Sequence, residues 1–220
     1  VVSSAVAVDA KICGLTRPED ATLAAALGAW RLGVIFAGGP REVSVAQAAG
    51  VVAAGEGVPV IGVFGSQDAD TILQITRAAG LRGAQLHGAG PPGRAQALRD
   101  AGLEVWGVAL LDDPATVAER VAAAGVGSDV VLVEPRLVGG SGGRGVALPW
   151  ELAHAARVAR GSARLALAGG LSPDNLRAAI ATGAPDVVDV SSGVEQEPGI
   201  KDPHRLAAFL EIVRDSRPAH

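Results

Sequence analysis

Eight short apolar runs recur along the chain at nearly even spacing, and this rhythm constrains the fold more than any other feature. They are AKICG at 10–14, LGVIF at 32–36, PVIGVFG at 59–65, RGAQLHG at 82–88, EVWGVALL at 104–111, DVVLVE at 129–134, RLALAGG at 164–170 and DVVDVSS at 186–192. Val, Ile and Leu dominate them. Such short, nearly continuous runs suit strands buried on both faces, as in a parallel sheet. Ala- and Leu-rich stretches with helical spacing lie between them, most clearly at 19–29, 68–79, 114–124 and 174–182. Strand-then-helix alternation points to an α/β fold. Eight units of about 28 residues each fit the 220-residue chain, which favours a single-domain (β/α)8 TIM barrel over residues 1–220. An open doubly wound sheet shares the rhythm, because periodicity does not show closure. No low-complexity linker divides the chain.

Composition narrows the function. Hydrophobic residues make up 49% and charged residues 19%, which opposes disorder. The net charge is −4, no basic block stands out, and aromatics are only 3%, so nucleic acid is a poor partner. One cysteine forms neither an internal disulfide framework nor a zinc cluster. The histidines at 87, 154, 204 and 220 are scattered, against a multi-histidine metal site. No apolar stretch approaches ~20 residues without a charge or a Pro/Gly break, so a membrane partner is not expected. The chain reads as soluble and cytoplasmic. It begins at Val rather than Met, which leaves room for an upstream trimmed segment.

In such barrels, catalytic groups sit at the C-terminal ends of strands. Cys13 ends the first run, and Lys11, two residues earlier, points to the same side. Thr16-Arg17-Pro18-Glu19 reads as a capping box opening the first helix. A thiol near a helix N-terminus is expected to have a lowered pKa, which suits a base or nucleophile; a small buried hydrophobe is the plainer alternative. Glu134 ends the sixth run, where a carboxyl can act as a general acid or pair with Arg136. Asp113 precedes Pro114 and reads as a helix cap, with Asp112 a weaker case. Arg41 can hold a carboxylate or phosphate in bidentate geometry. His87 is a hydrogen-bonding or ligand-contact candidate. Gly169 and Gly170, then Ser191, Ser192 and Gly193, follow the last two runs, where barrels often bind phosphate through backbone N–H groups. Gly139–Gly143 reads as an active-site loop.

The segments KICGLTRPEDA, GAQLHG, LAGGLSPDN and VDVSSGVEQEPGIKD together resemble phosphoribosylanthranilate isomerase, from residue 11 to about residue 210. The resemblance implies an Amadori rearrangement of N-(5-phosphoribosyl)anthranilate to 1-(2-carboxyphenylamino)-1-deoxyribulose 5-phosphate in tryptophan biosynthesis, with no cofactor or metal. A monomer or homodimer is expected. It makes Cys13 the base and Glu134 the acid, although the family usually has aspartate there. It places Arg41 against the anthranilate carboxylate, Asp189 as an organiser of the site, and Gly169, Gly170, Ser191, Ser192 and Gly193 around the phosphate; His87, from its place at the strand end, is expected to join Arg41 and Asp189 in binding substrate. The usual GG[ST]G-x-x-FDW stretch appears as GGSGGRGVALPW, without its Phe-Asp pair. Two other readings remain. A dual-substrate isomerase that also serves histidine synthesis would carry aspartate where Cys13 stands. A non-catalytic sugar-phosphate binder would keep the phosphate loops and lose the acid.

Overall fold

A computed structural model describes residues 7–88, 90–136 and 148–216. Eight strands form one closed barrel in chain order: β1 (Asp9–Ile12), β2 (Arg31–Ile35), β3 (Val60–Phe64), β4 (Gly83–Leu86), β5 (Glu104–Leu111), β6 (Val130–Pro135), β7 (Arg164–Leu167) and β8 (Val187–Val190). Every neighbouring pair is parallel. Closure comes from β1 against β8, in register from Asp9–Val187 to Ile12–Val190. The open-sheet alternative is thereby excluded. The helices are α1 (Pro18–Ala26), α2 (Val45–Ala54), α3 (Ala69–Ala79), α4 (Arg94–Asp100), α5 (Val117–Gly125), α6 (Trp150–Ala159), α7 (Leu176–Gly183) and α8 (Pro203–Asp215). Between β8 and α8 the chain adds a hairpin of β9 (Glu195–Glu197) and β10 (Ile200–Lys201), which the run pattern does not reveal.

Inward side chains fill the barrel rather than leaving a pore. Ile61, Trp106, Val130, Leu132, Ala166 and Val187 are all buried in one cluster. Burying a large apolar side chain contributes roughly 1.5–3 kcal/mol. Trp106 keeps its indole N–H satisfied by Glu104, at 2.8 Å. A second, larger cluster lies between strands and helices, with Leu32, Phe64, Ile72, Leu98, Val131 and Phe209. Trp30 packs against this inner cluster, with the guanidinium groups of Arg31 and Arg164 3.8 and 4.4 Å from its ring centroid.

Local signals set the helix starts unevenly. Ser44 and Gln47 form a reciprocal capping box on α2, and Asp68 and Asp202 cap α3 and α8. Asp113 accepts from the Ala115 N–H as a cap should. The capping box expected at Thr16 does not form. Arg17 stands at the N-cap of α1 without a side-chain bond, and the Thr16 hydroxyl donates instead to the Gly199 carbonyl in the hairpin loop. The hairpin thus takes the cap residue for a tertiary contact. α1 also ends at Ala26, because the chain turns at Leu27-Gly28.

Candidate active site

The C-terminal strand ends surround a cavity of about 150 Å³. Cys13, Arg41, His87, Glu134, Gly169, Gly170, Asp189, Ser191 and Ser192 all line it. Residues from β1, β2, β4, β6, β7 and β8 therefore meet at one mouth. Gly193 is not among the lining residues. A Cβ there would lie 1.8 Å from the Leu171 carbonyl oxygen, so glycine lets the loop after β8 press against the loop after β7. The Gly139–Gly143 stretch lies outside the described residues. A wider cleft of about 600 Å³ opens outside the barrel between α4, β5 and α5, and holds none of the candidates.

Cys13 is 6% exposed at the end of β1. Its backbone N–H bonds to the Val190 carbonyl at 2.8 Å. Gly33 on β2 makes room for it: a Cβ there would lie 2.9 Å from Cys13 Sγ and 3.1 Å from the Lys11 side chain. The lowered thiol pKa expected from a helix N-terminus is not found. α1 begins only at Pro18, and burial pushes the thiol up, with the Lys11 ammonium pulling it partly back. Lys11 is fully buried, bonded to Asp189 at 3.0 Å and Gln85 at 2.9 Å, with its Nζ 5.2 Å from the Trp106 ring. Burial alone would lower its pKa. Asp189 and Cys13 outweigh that and hold the ammonium above its usual range.

Behind Cys13 lies a second buried cation that the spacing arguments miss. Lys201 on β10 donates to the carbonyls of Cys13 and Ser191 at 2.6 and 3.1 Å, and to Glu195 at 2.9 Å. Only the GIKD segment of the family resemblance touches this residue. Glu195 in turn receives the fork of Arg41, with Nε 2.9 Å from Oε1 and Nη2 2.7 Å from Oε2. Burial opposes the Glu195 charge, but Arg41 and Lys201 hold its pKa below the usual carboxylate value. Arg41 thus reaches the cavity wall already oriented by a protein carboxylate, a partner 154 residues away.

Across the mouth, Glu134 on β6 meets His87 after β4, with 2.6 Å between Oε1 and Nε2. The alternative partner, Arg136, turns instead toward Asp112, at 3.7 Å. Asp112 also pairs with Arg120 at 2.9 Å. The last wall is made of the two phosphate-loop candidates. Gly169 and Gly170 take successive left-handed conformations, φ 89° and 64°. Asn175 pins that turn by donating to the Gly170 carbonyl and accepting from the Ser172 N–H. After β8, Ser191 leads into a short 3-10 turn at Ser192–Val194. No cluster of three metal-ligating side chains occurs among the described residues.

Chemically, the mouth offers a thiol next to a fixed ammonium, a carboxyl paired with an imidazole, an oriented guanidinium and two tight backbone turns. The model of the N-(5'phosphoribosyl)anthranilate (PRA) isomerase family matches residues 10–212. An N-(5'-phosphoribosyl)anthranilate isomerase of Pseudomonas fluorescens strain Pf-5 is 38% identical over 213 residues, covering 96% of this chain and 97% of that protein. The phosphoribosyl anthranilate isomerase of Thermus thermophilus superposes with a TM-score of 0.81 at 34% identity, covering 96% and 100% of the two chains. A second similar structure, also at 0.81 with 28% identity and 94% and 99% coverage, is a phosphoribosyl anthranilate isomerase in complex with reduced 1-(o-carboxyphenylamino)-1-deoxyribulose 5-phosphate.

Proposed function

The chain belongs to the N-(5'-phosphoribosyl)anthranilate isomerase family, and from that premise we propose that its mouth performs the Amadori rearrangement of phosphoribosylanthranilate in tryptophan biosynthesis, in the cytoplasm, as a monomer or homodimer. The observation that carries the reading is the convergence of Cys13, Glu134, Arg41 and the loops after β7 and β8 on one cavity. Glu134 protonates the ribose ring oxygen, and the C1–O bond breaks to leave a Schiff base. The Cys13 thiolate removes the C2 proton, and the enolamine becomes the ketone. Proton transfer by such positioned groups typically contributes about 10²–10⁴-fold.

The buried charges support these roles. Lys11 sits where it can offset the thiolate charge, and Asp189 keeps Lys11 charged and in place. Arg41, fixed by Glu195, offers a cation at the wall for the anthranilate carboxylate. The turns at Gly169-Gly170 and Ser191-Ser192 suit the phosphate at the opposite end. No cofactor enters the scheme.

The test is turnover. Freshly generated phosphoribosylanthranilate loses its fluorescence on conversion, and wild-type protein should catalyse that loss while Cys13→Ala does not. Absent turnover with a product analogue still bound would make the chain a sugar-phosphate binder instead.

A further inference from the structure

Glu134 and His87 are 47 residues apart in sequence and 2.6 Å apart at Oε1 and Nε2. That distance is at the short end of nitrogen–oxygen hydrogen bonds, where one partner is normally charged. The strands explain the meeting. β4 and β6 flank β5 from either side, and alternate strands of a barrel project side chains into the same layer. His87 is anchored by its backbone N–H to the Phe64 carbonyl at 2.8 Å, and its side chain is 22% exposed against 12% for Glu134. Glu134 reaches it from the C-terminal end of β6.

We propose that His87 is the positioning residue for Glu134: it holds the carboxyl at the cavity and supplies the proton that Glu134 delivers to the ribose ring oxygen. This rests on the acid role given to Glu134 above. The pair starts with one proton more than a carboxylate and a neutral imidazole hold. That proton crosses from Nε2 to the carboxyl, and from the carboxyl to the ring oxygen as the C1–O bond breaks. The electron pair of the bond stays on oxygen, and the nitrogen lone pair forms the C=N bond. The C2 proton goes to Cys13. When the enolamine becomes the ketone, C1 takes that proton back from the thiol, and the C2 hydroxyl returns one to the pair. The isomerisation therefore balances without an outside proton.

The surroundings suit a proton reservoir. The hydrogen bond to Glu134 holds the His87 proton above the usual imidazole range, with burial opposing it. Among the described residues, few other charges bear on the pair. Asp189 on β8 lies close enough to feel Glu134, and its own charge is taken up by Lys11. The Arg94 guanidinium is spent on the carbonyls of Gly65, Gln67 and Gly88. Arg136 and Asp112 face one another beyond the mouth.

The experiment is the pH dependence of turnover in His87→Gln, which retains a neutral donor but does not titrate. The expected result is a kcat lower by about tenfold or more, with KM within about twofold, and an alkaline limb that moves because the imidazole ionisation is gone. In a Glu134→Asp background, whose shorter side chain is expected to lose the contact, His87→Gln should cost less than about twofold further. His87→Asn gives the same readouts should the Gln variant not fold. A raised KM with kcat and the alkaline limb unmoved would overturn the proposal and make His87 a substrate contact. Turnover retained in Glu134→Gln would remove the acid itself, a different failure from loss of the pairing alone.

Discussion

The two sides of the mouth are built in opposite ways. On the β1–β8 side, Cys13 rests in a buried electrostatic frame: Lys11 with Asp189 and Gln85 within the barrel, and Lys201 with Glu195 and Arg41 behind it. Each charge there has a partner, and Lys201 also grips the Cys13 carbonyl itself. On the β4–β6 side, Glu134 rests on one hydrogen bond among the described residues, to His87. The difference teaches where each group's chemistry comes from. The proposed base, Cys13, lies among several fixed charges, with the Lys11 ammonium the strongest of them on the thiol, whereas the proposed acid, Glu134, meets a single side-chain partner, His87, among the described residues.

The largest way to break the comparison is on the base side. Cys13→Ala should lower kcat by about 10³-fold or more while a product analogue binds nearly as before. Single-turnover kinetics alongside titration calorimetry would check both halves. Next, Lys201→Met removes a buried cation and leaves the Glu195–Arg41 pair without its third member. Breaking a buried ion pair typically costs about 3–5 kcal/mol, so a loss near the lower figure is expected, read from urea unfolding. A much smaller loss would show that the frame is not rigid. Arg41→Ala should weaken a carboxylated product analogue about tenfold and leave inorganic phosphate unchanged. Equal loss for both would move Arg41 to the phosphate end.

The smallest effect concerns pH. Burial raises the Cys13 pKa, so the reactive thiolate is the minor form near neutrality and activity should climb as pH rises through the thiol's ionisation. His87 keeps its proton above the usual imidazole range, so the acid is lost only as pH rises past that shifted value. The sign for stability follows the same shift. The His87–Glu134 contact contributes fully below the unfolded imidazole pKa of about 6.5, and its contribution fades as pH rises through the higher folded value. Thermal melts across that window should show the loss in wild type and a weaker one in Glu134→Gln.

The barrel was legible because burial on both faces leaves continuous apolar runs, and because each run ends where polar residues begin. Cys13 and Glu134 could be placed at the mouth for that reason alone. The tertiary partners were not legible. His87 and Glu134 lie on different strands, and nothing in their spacing pairs them. The β9–β10 hairpin is too short to leave a period, so Lys201, and with it the anchor of Cys13, stayed hidden. Thr16 carried a correct local signal that the hairpin overrode by offering the Gly199 carbonyl. The thiol's direction of shift was missed because sequence shows neighbouring residues but not depth of burial.

The most direct test of the account compares wild type, Glu134→Asp and Glu134→Gln in the fluorescence-loss assay at one pH. The account predicts brisk wild-type turnover, a partial loss with aspartate, whose carboxyl survives without its histidine contact, and a loss of about 10²-fold or more with glutamine. Turnover in Glu134→Gln equal to wild type would contradict it, and would move the acid elsewhere on the mouth.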